Sequence, residues 1–331
     1  MARPADRRAG SVALLVFGAA FLWGACGRGT TPARDVATEA PAFRVVTDSL
    51  LGVRDGSTYR LVRLMDSKRV VHEAWLRFGP RRDSPSAAPA TPWRPVLILG
   101  GIGTGRRAAE ITPCPPGFVL VALDYPYTGP RAPTRSELLR EVPAIRKAAL
   151  ATPRGVAAFV EWLARRPDVD SSGVLVVGAS FGVPFVVRGL ADLPRARTAS
   201  GRDAGPRGVR GVCLLFGGAD LPGLVRYRMR ERPLWEREAV ALGLVLLFGD
   251  LEPARHVARI SPRPLLLVGG TRDEFVPRSS TDALYRAARE PKTQLWFESE
   301  HLQPDAEDLL NELVTRSLEW DRSLESRNGR R

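Results

Sequence analysis

Residues 174–185 read VLVVGASFGVPF. The four branched apolar residues are typical of a buried β-strand, which Gly178 ends. Ser180 follows, with glycines two positions before it and two after it, and a tight strand-to-helix turn needs small residues at those crowded positions. Pro184 suits the first turn of the helix that comes next. The stretch therefore predicts a serine hydroxyl presented at a helix N-terminus, where backbone N–H groups favour a negatively charged oxygen; a helix-capping serine is the alternative.

Five further apolar runs resemble this strand, and stretches with helical spacing separate them. Apolar runs of this kind suit parallel strands that are covered on both faces. Their alternation with helices predicts an α/β fold with a mostly parallel, doubly wound sheet. The predicted parallel strands are 96–101, 117–125, 174–180, 211–218, 264–270 and 293–299, and the predicted helices include 155–167, 280–290 and 306–320.

The segment before the parallel strands has the alternating pattern of antiparallel strands. In VVHEAWLRF, His72, Ala74, Leu76 and Phe78 share one face, which predicts a strand at the antiparallel edge of the sheet and His72 at its edge or surface. We expect one domain over residues 43–322.

One insertion and one tail depart from the strand–helix rhythm. Residues 219–263 are too long for a single crossover and predict two or three helices that form a small cap, although they would also serve merely to cover the sheet. Residues 323–331 are expected to be a disordered tail.

The charge balance is strongly basic, with 49 Lys and Arg against 36 Asp and Glu in 331 residues. The arginines are scattered, and their densest group, 195–210, predicts a flexible surface loop without the interleaved aromatic residues that a nucleic-acid platform needs. We therefore expect no nucleic-acid partner, while attraction to anionic lipid headgroups stays open. The three cysteines form no metal-type cluster, and the spacing does not support a disulfide between Cys114 and Cys213.

The N-terminus has the pattern of a secretory signal. Arginines precede an apolar run over 12–23, which is short for a transmembrane helix, and Gly24 and Ala25 come just before Cys26. This end resembles the lipobox of bacterial lipoproteins, although Trp23 stands where that family usually has leucine. The resemblance implies a signal peptide over 1–26, a lipid on Cys26, a membrane anchor and export to the cell envelope. The alternatives are ordinary cleavage of the signal, an uncleaved membrane anchor and a buried hydrophobic segment. The polar, Pro- and Ala-rich residues 27–42 predict a flexible tether.

A serine hydroxyl needs a base to become a nucleophile, and the chain has three histidines. His72 lies in a predicted strand and His256 in the predicted cap. His301 follows the last strand, where a loop at the carboxyl edge of the sheet is placed to reach Ser180. We therefore expect His301 to be the base.

A histidine base needs a carboxylate that holds its tautomer. Asp273 lies just beyond the penultimate strand and is the expected partner of His301. Asp220 is the fallback, Glu274 is expected to point elsewhere, and Glu300 is too close in sequence to orient the ring. The alternative for each of these carboxylates is that it is a solvated loop residue or a helix cap.

The order Ser180, Asp273, His301, with each residue after a different predicted strand, resembles the α/β-hydrolase family over roughly residues 70–320. The stretches PRPLLLVGGTRDEFVP and SEHLQP look most like its dienelactone-hydrolase and acyl-peptidase-like branches. The resemblance implies an α/β-hydrolase fold, a Ser-His-Asp triad and no cofactor or metal.

Such enzymes hold the reacting oxyanion with two N–H donors. Here these would come from Phe181 and from Gly101 or Ile102, in a loop that lacks the family's frequent histidine. The stretch LDYPYTGPR (123–131) follows another predicted strand and would bring Tyr125 and Tyr127 to the substrate. The alternative is that this loop only packs against the protein.

Together these patterns predict an exported, lipid-anchored serine hydrolase that acts on a small-molecule ester. An enzyme that cleaves a short-peptide or acyl amide is one alternative. A non-catalytic lipoprotein that uses the same fold for binding is the other.

Overall fold

The computed structural model describes residues 43–80, 91–101, 103–130 and 134–328. The predicted signal peptide, Cys26, the tether and Ile102 lie outside the described residues. Eleven strands are present in this part of the chain: β1 (Phe43–Arg54), β2 (Ser57–Asp66), β3 (Val71–Phe78), β4 (Arg94–Leu99), β5 (Phe118–Leu123), β6 (Val174–Ala179), β7 (Arg195–Arg197), β8 (Asp203–Pro206), β9 (Val209–Leu215), β10 (Leu265–Gly270) and β11 (Lys292–Phe297).

Seven α-helices lie between and after these strands in the described residues. They are α1 (Ala108–Ile111), α2 (Arg135–Ala164), α3 (Val183–Ala191), α4 (Leu221–Arg228), α5 (Leu234–Phe248), α6 (Arg278–Ala287) and α7 (Glu307–Asn328). Among these helices none is long and apolar enough to cross a membrane.

The central sheet has nine strands in the order β1-β2-β3-β5-β4-β6-β9-β10-β11. Every pair from β5 to β11 is parallel, and β1, β2 and β3 extend the sheet with antiparallel pairing. The mostly parallel sheet predicted from the apolar runs is confirmed. Because parallel strands point the same way, their carboxyl ends share one edge of the sheet.

β3 differs from its prediction in position but not in pattern. It pairs with β2 on one side and β5 on the other, so β1 and not β3 is the edge strand. The face that carries His72, Ala74, Leu76 and Phe78 is buried, as the alternation predicted. The expectation that His72 lies at the edge or surface is wrong, because its side chain is fully buried.

Buried His72 is held as a neutral imidazole. Its Nε2 is 3.1 Å from Asp66 Oδ2, and the same carboxylate oxygen accepts a hydrogen bond of 2.7 Å from Arg154 Nε. Among the described residues His72 Nδ1 is buried without a hydrogen-bond partner, so a proton added there would find no acceptor among them. Burial accordingly lowers the pKa of His72, while hydrogen bonds from His72, Val70 and Arg154 hold the pKa of Asp66 below its ordinary value against the opposing effect of burial.

The depressed pKa of His72 predicts acid sensitivity of the fold. The unfolded chain takes up a proton near pH 6.5 while the folded chain resists it, so this contribution to stability is present above about pH 6.5 and is lost as the pH falls through the lower folded-state pKa. Chemical denaturation at pH 7 and pH 5 should show a loss of stability at the lower pH, and His72→Asn should reduce that loss. Burial also lowers the pKa of His256, so His256→Asn should reduce the same loss as well. Equal pH dependence in the parent and in His72→Asn would contradict this explanation.

Three local predictions need correction. Helix α2 begins at Arg135 and not near 155, because Thr134 and Glu137 form a capping box in which Glu137 N–H donates to Thr134 Oγ1 and Thr134 N–H donates to Glu137 Oε2. Residues 195–206 form the β7–β8 hairpin and not a flexible loop. The domain was expected to end at 322, but α7 continues to Asn328, so 323–328 are helical and not a disordered tail.

The cysteines of the described part are free. Cys213 is buried in β9, and burial raises the pKa of the Cys114 thiol to about 11. No disulfide joins Cys114 and Cys213 in the described residues.

The two faces of the sheet are covered unequally. Helices α2, α3 and α6 pack on one face, where the larger hydrophobic cluster lies. On the other face α7 is the long helix, and it meets a smaller cluster together with the short α1. The insertion 219–263 contains α4, α5 and three 3₁₀ turns, so the predicted helices are present. We call this segment the cap, and its role in shaping the site stays a prediction.

Candidate active site

The turn after β6 holds Ser180 in a conformation that few residues other than glycine adopt. Ser180 has a φ of 51°, in the left-handed region, and it begins a 3₁₀ turn that leads into α3. The flanking glycines are needed for space: a Cβ on Gly182 would overlap the carbonyl oxygen of Leu99, and one on Gly178 would lie 3.2 Å from the Cα of Val183. The strand–turn–helix predicted from the sequence is therefore present.

His301 lies against the serine. Its Nε2 is 2.8 Å from Ser180 Oγ, although the two residues are 121 positions apart in the chain. His301 follows β11, and its side chain is 9 % exposed, so the ring is shielded from water except on the side that faces the cavity described below. The hydroxyl proton of Ser180 thus has an acceptor at ordinary hydrogen-bond distance.

Asp273 completes the hydrogen-bond chain from the opposite side of the ring. Its Oδ2 is 2.8 Å from His301 Nδ1. Its Oδ1 accepts hydrogen bonds of 2.8 Å from the backbone N–H groups of Phe275 and Val276, which fix the carboxylate in the turn after β10. With Nδ1–H donating to Asp273, Nε2 is left unprotonated and faces Ser180.

Two aromatic rings and one arginine surround the imidazole. The Phe275 ring centroid is 5.0 Å from that of His301 at an angle of 31°, and Phe216 meets it edge-on at 5.9 Å. Arg228, in cap helix α4, lies 4.0 Å over the Phe275 ring and donates a 3.0 Å hydrogen bond to the Glu274 carbonyl. Burial lowers the pKa of Arg228, and its Nε is buried with no hydrogen-bond partner in the part of the chain that the structure describes. The cap is thus connected directly to the packing around His301.

The expected oxyanion donors are only partly described. Phe181 directly follows Ser180 at the start of the turn, and Ile102 lies outside the described residues. Gly101 lies beside Gly100, whose carbonyl accepts a 2.5 Å hydrogen bond from the Tyr125 hydroxyl. Tyr125 therefore anchors the loop that carries the second expected donor.

The two tyrosines predicted to contact substrate both line the cavity beside Ser180. Burial strongly raises the pKa of Tyr125, whose ring also packs against Phe181 and Phe185. The Tyr127 hydroxyl donates to Glu141 at 3.1 Å, and burial together with this carboxylate raises the pKa of Tyr127 to about 12. Because both hydroxyls have protein partners, the tyrosines present mainly ring surface to the cavity.

The alternative bases and acids have other partners. His72 is buried with Asp66, and His256 Nε2 is 2.7 Å from the Asp250 carbonyl oxygen in the cap. Asp220 caps α4 by accepting from Gly223 N–H at 3.1 Å. Glu274, as expected, has an exposed side chain. Within the described ranges, no cluster of three or more His, Cys, Asp or Glu side chains is arranged to hold a metal ion.

A cavity of about 1670 Å³ opens from Ser180 and His301. Pockets for small molecules are commonly about 300–1,000 Å³, so this one has space for a large ligand. One arm runs under the cap, along Leu221, Leu224 and Val225 of α4 and Phe248 of α5. A second arm follows the sheet toward α7. Sequence reasoning did not find Arg228 or this second arm, since neither follows from a local motif.

Comparisons with known proteins bear on the fold. No protein-family model matches the chain, and no curated protein matches it either. Among solved structures, it is similar to acetyl xylan esterase 1 from Thermoanaerobacterium sp. JW/SL YS485, with 15 % identity over 87 % of this chain and 89 % of that one, at a TM-score of 0.51. Esterase B from Lactobacillus rhamnosis (HN001) matches at 14 % identity over 84 % and 89 %, with a TM-score of 0.53.

A puromycin-hydrolyzing peptidase of Mycobacterium tuberculosis matches at 17 % identity over 78 % of this chain but only 38 % of its own, with a TM-score of 0.52. At such low identity these likenesses bear on architecture alone. Together with the strand order and the mixed, mostly parallel sheet, they show that the chain has the α/β-hydrolase fold.

Proposed function

We propose that this protein is a serine hydrolase that cleaves a carboxylic ester through an acyl-enzyme. One observation supports the proposal above all: Ser180 Oγ, the His301 ring and the Asp273 carboxylate form a continuous chain with two contacts of 2.8 Å. Three residues on three different strand ends meet in the order that proton transfer from a serine requires.

The proposed reaction begins when Ser180 Oγ attacks the ester carbonyl carbon. His301 Nε2 takes the serine proton as the bond forms, and Asp273 stabilises the resulting imidazolium through Nδ1–H. The N–H groups of Phe181 and of the Gly101–Ile102 loop donate to the oxyanion. His301 then gives its proton to the leaving alcohol, and water repeats the sequence on the acyl-enzyme to release the acid and restore Ser180.

An ester is a more accessible substrate than an amide because an alkoxide leaves more readily than an amine. Two of the similar solved structures are named esterases, which supports the same choice, while the third is named a peptidase and supports the amide alternative. The described residues hold a complete hydrogen-bonded Ser–His–Asp chain, which a non-catalytic binding protein would not need.

The experiment that tests the proposal compares an ester and an anilide of the same acid, p-nitrophenyl acetate and p-nitroacetanilide. The background is the Ser180→Ala variant, whose expected loss of activity is argued in the Discussion. Ester hydrolysis above this background supports the proposal. Faster turnover of the anilide would indicate an amidase, and no turnover of either by folded protein would favour a binding module.

We also propose that Cys26 carries a lipid that anchors the enzyme to the membrane of the cell envelope. The proposal rests on the basic, then apolar, then Gly-Ala-Cys pattern of residues 1–26. Cys26→Ser in the full chain should move the protein from the membrane fraction to the soluble fraction, and globomycin treatment should leave the precursor uncleaved. If Cys26→Ser fractionates with membranes as the parent does, the lipid anchor is wrong.

A further inference from the structure

The second arm of the cavity lies between the sheet and α7. We name it the sheet-side chamber and define it by Ile98, Leu120, Leu175 and Val177 on the sheet and by Val314 and Leu318 on α7. It belongs to the same cavity that Ser180 and His301 line. A group bound in this chamber would therefore be joined to the position where an ester carbonyl reacts.

The floor of the sheet-side chamber is an incompletely covered sheet face. Of the four floor residues, Ile98 and Val177 remain 7 % and 9 % exposed, while Leu120 and Leu175 are 3 % and 1 % exposed. Leu97 and Val176, the neighbours of Ile98 and Val177 on the opposite face, are 1 % and 0 % exposed. The difference arises because α2 and α3 cover the opposite face directly, while α7 stands over the chamber face. Side chains that retain exposure inside an apolar cavity have surface available to a ligand.

The roof is one face of α7. Leu310, Leu313, Val314, Ser317 and Leu318 line the cavity and recur at the three- and four-residue spacing that places side chains on the same side of a helix. Within the described residues, no charged side chain of α7 or of the floor strands lines the chamber. Arg107, Glu110 and Thr112, in and beside α1, also line the same cavity. The floor and the roof of the chamber are therefore the surfaces that favour hydrocarbon over a sugar or a peptide backbone.

The chamber has a defined length and end. From Ala179, next to the reactive serine, to Leu175 the lining of β6 covers four residues, or about 13 Å. On α7 the lining from Leu310 to Leu318 covers about 12 Å. Beyond Leu318, buried Asp321 pairs with Arg210 at 3.0 Å and with Arg94 at 2.9 Å, so charged groups lie where the apolar lining stops.

We propose that the sheet-side chamber binds an aliphatic chain of about ten carbons in the ester substrate. A saturated chain with bonds of about 1.5 Å and angles near 111° advances about 1.25 Å per bond, so ten bonds fill the 13 Å between Ala179 and Leu175. The inference rests on the proposed esterase function and adds a substrate class to it, an ester with a medium-length lipid-like chain. The chain belongs to either the acid or the alcohol, and two substrate series separate these sources.

The test uses a variant that fills the chamber and a matched control on the same helix. Val314→Phe places a ring in the roof midway along the lining, while Thr315→Phe places the same ring at the adjacent, exposed position. Valine and threonine have nearly the same shape, so the two changes are equal in size. The kcat/KM is measured for p-nitrophenyl esters of acids with 2 to 14 carbons and for acetate esters of alcohols with 2 to 12 carbons.

In the parent, kcat/KM should rise along one series by up to about fourfold for each methylene buried. The rise should continue to about ten carbons, and kcat/KM should then level off. Val314→Phe should lower kcat/KM at least tenfold for chains of ten and twelve carbons and leave the two-carbon ester within about twofold. Thr315→Phe should match the parent for every ester. The series that responds identifies whether the acid or the alcohol carries the chain.

Two outcomes would overturn the inference while leaving the proposed function intact. One is Ser180-dependent hydrolysis in which kcat/KM is highest for the shortest ester and falls steadily with chain length in both series. The other is an equal effect of Val314→Phe on the kcat/KM of short-chain and long-chain esters. If Ser180→Ala does not change hydrolysis of any ester, the proposed function itself fails.

If the proposed function fails, a binding measurement still tests whether the chamber holds an aliphatic chain. A fluorescent dansyl-labelled fatty acid should bind the parent and the Ser180→Ala variant, be displaced by decanoate or decanol, bind Thr315→Phe equally, and bind Val314→Phe at least tenfold more weakly. Equal binding to Val314→Phe and Thr315→Phe would show that the chamber does not hold the chain.

Discussion

Ser180→Ala is expected to lower kcat/KM for p-nitrophenyl acetate by about 10⁴-fold or more, because removing the nucleophile of a Ser-His-Asp group leaves only the contribution of binding and of the oxyanion donors. The structure gives the reason in local terms. Ser180 Oγ has His301 Nε2 at 2.8 Å as a proton acceptor, and Phe181, the proposed oxyanion donor, is the next residue in the turn. Alanine keeps the turn compact and removes only the hydroxyl.

The control for this variant is Ser172→Ala, at an exposed serine in the loop before β6. Ser172 is part of no contact with Ser180, His301 or Asp273, and its replacement should leave kcat/KM within about twofold of the parent. Thermal unfolding of both variants checks that the chain is folded. Hydrolysis by Ser180→Ala within tenfold of the parent would show that another group attacks the ester.

Asp273→Asn is expected to lower kcat by about 10⁴-fold while the protein stays folded. The amide oxygen can keep the two backbone hydrogen bonds from Phe275 and Val276 that Oδ1 accepts. The amide nitrogen then faces His301 Nδ1 as a donor, so the ring must place its proton on Nε2. In that tautomer His301 cannot accept the proton of Ser180, which explains a loss of rate without a loss of structure.

Glu274→Gln provides the matched control, since it removes the adjacent carboxylate, whose side chain is exposed. We expect it to change kcat by less than about threefold. Steady-state kinetics at neutral pH on both variants decides between the carboxylates. A larger effect of Glu274→Gln than of Asp273→Asn would transfer the role to Glu274 and contradict the hydrogen-bond chain described here.

The parts of the fold that the sequence predicts correctly are those set by local patterns. The apolar runs fall on β4, β5, β6, β9, β10 and β11 within a few residues, because strands covered on both faces select apolar residues throughout. The meeting of Ser180, Asp273 and His301 was predicted from their order, since the carboxyl ends of parallel strands share one edge and bring distant loops together.

The features that were missed depend on contacts between distant segments. His72 looks like an edge residue until Asp66 and Arg154 surround it, and nothing in its own strand signals those partners. The start of α2 did carry a local signal, the T-x-x-E capping box at Thr134 and Glu137, but the two prolines inside the helix obscured it.

The sheet-side chamber shows the same limit on sequence reasoning. Val177 and Val176 are identical in type and adjacent in β6, yet only Val177 retains exposure. What distinguishes them is which helices pack on each face of the sheet. The apolar run gives no sign of this difference, because it places apolar residues on both faces. The stacking of Arg228 on Phe275 likewise joins the cap to the turn after β10 across 47 residues, which no local spacing predicts.

Reaction of the parent with a fluorophosphonate, followed by mass spectrometry of its peptides, examines the reactive hydroxyl itself. A phosphonate adduct forms only where a serine oxygen is activated as a nucleophile. The convergence of Ser180, His301 and Asp273 predicts a single adduct on Ser180, formed at least a thousandfold more slowly in His301→Ala. An adduct on any other serine, or labelling of Ser180 at the same rate without the His301 ring, would contradict it.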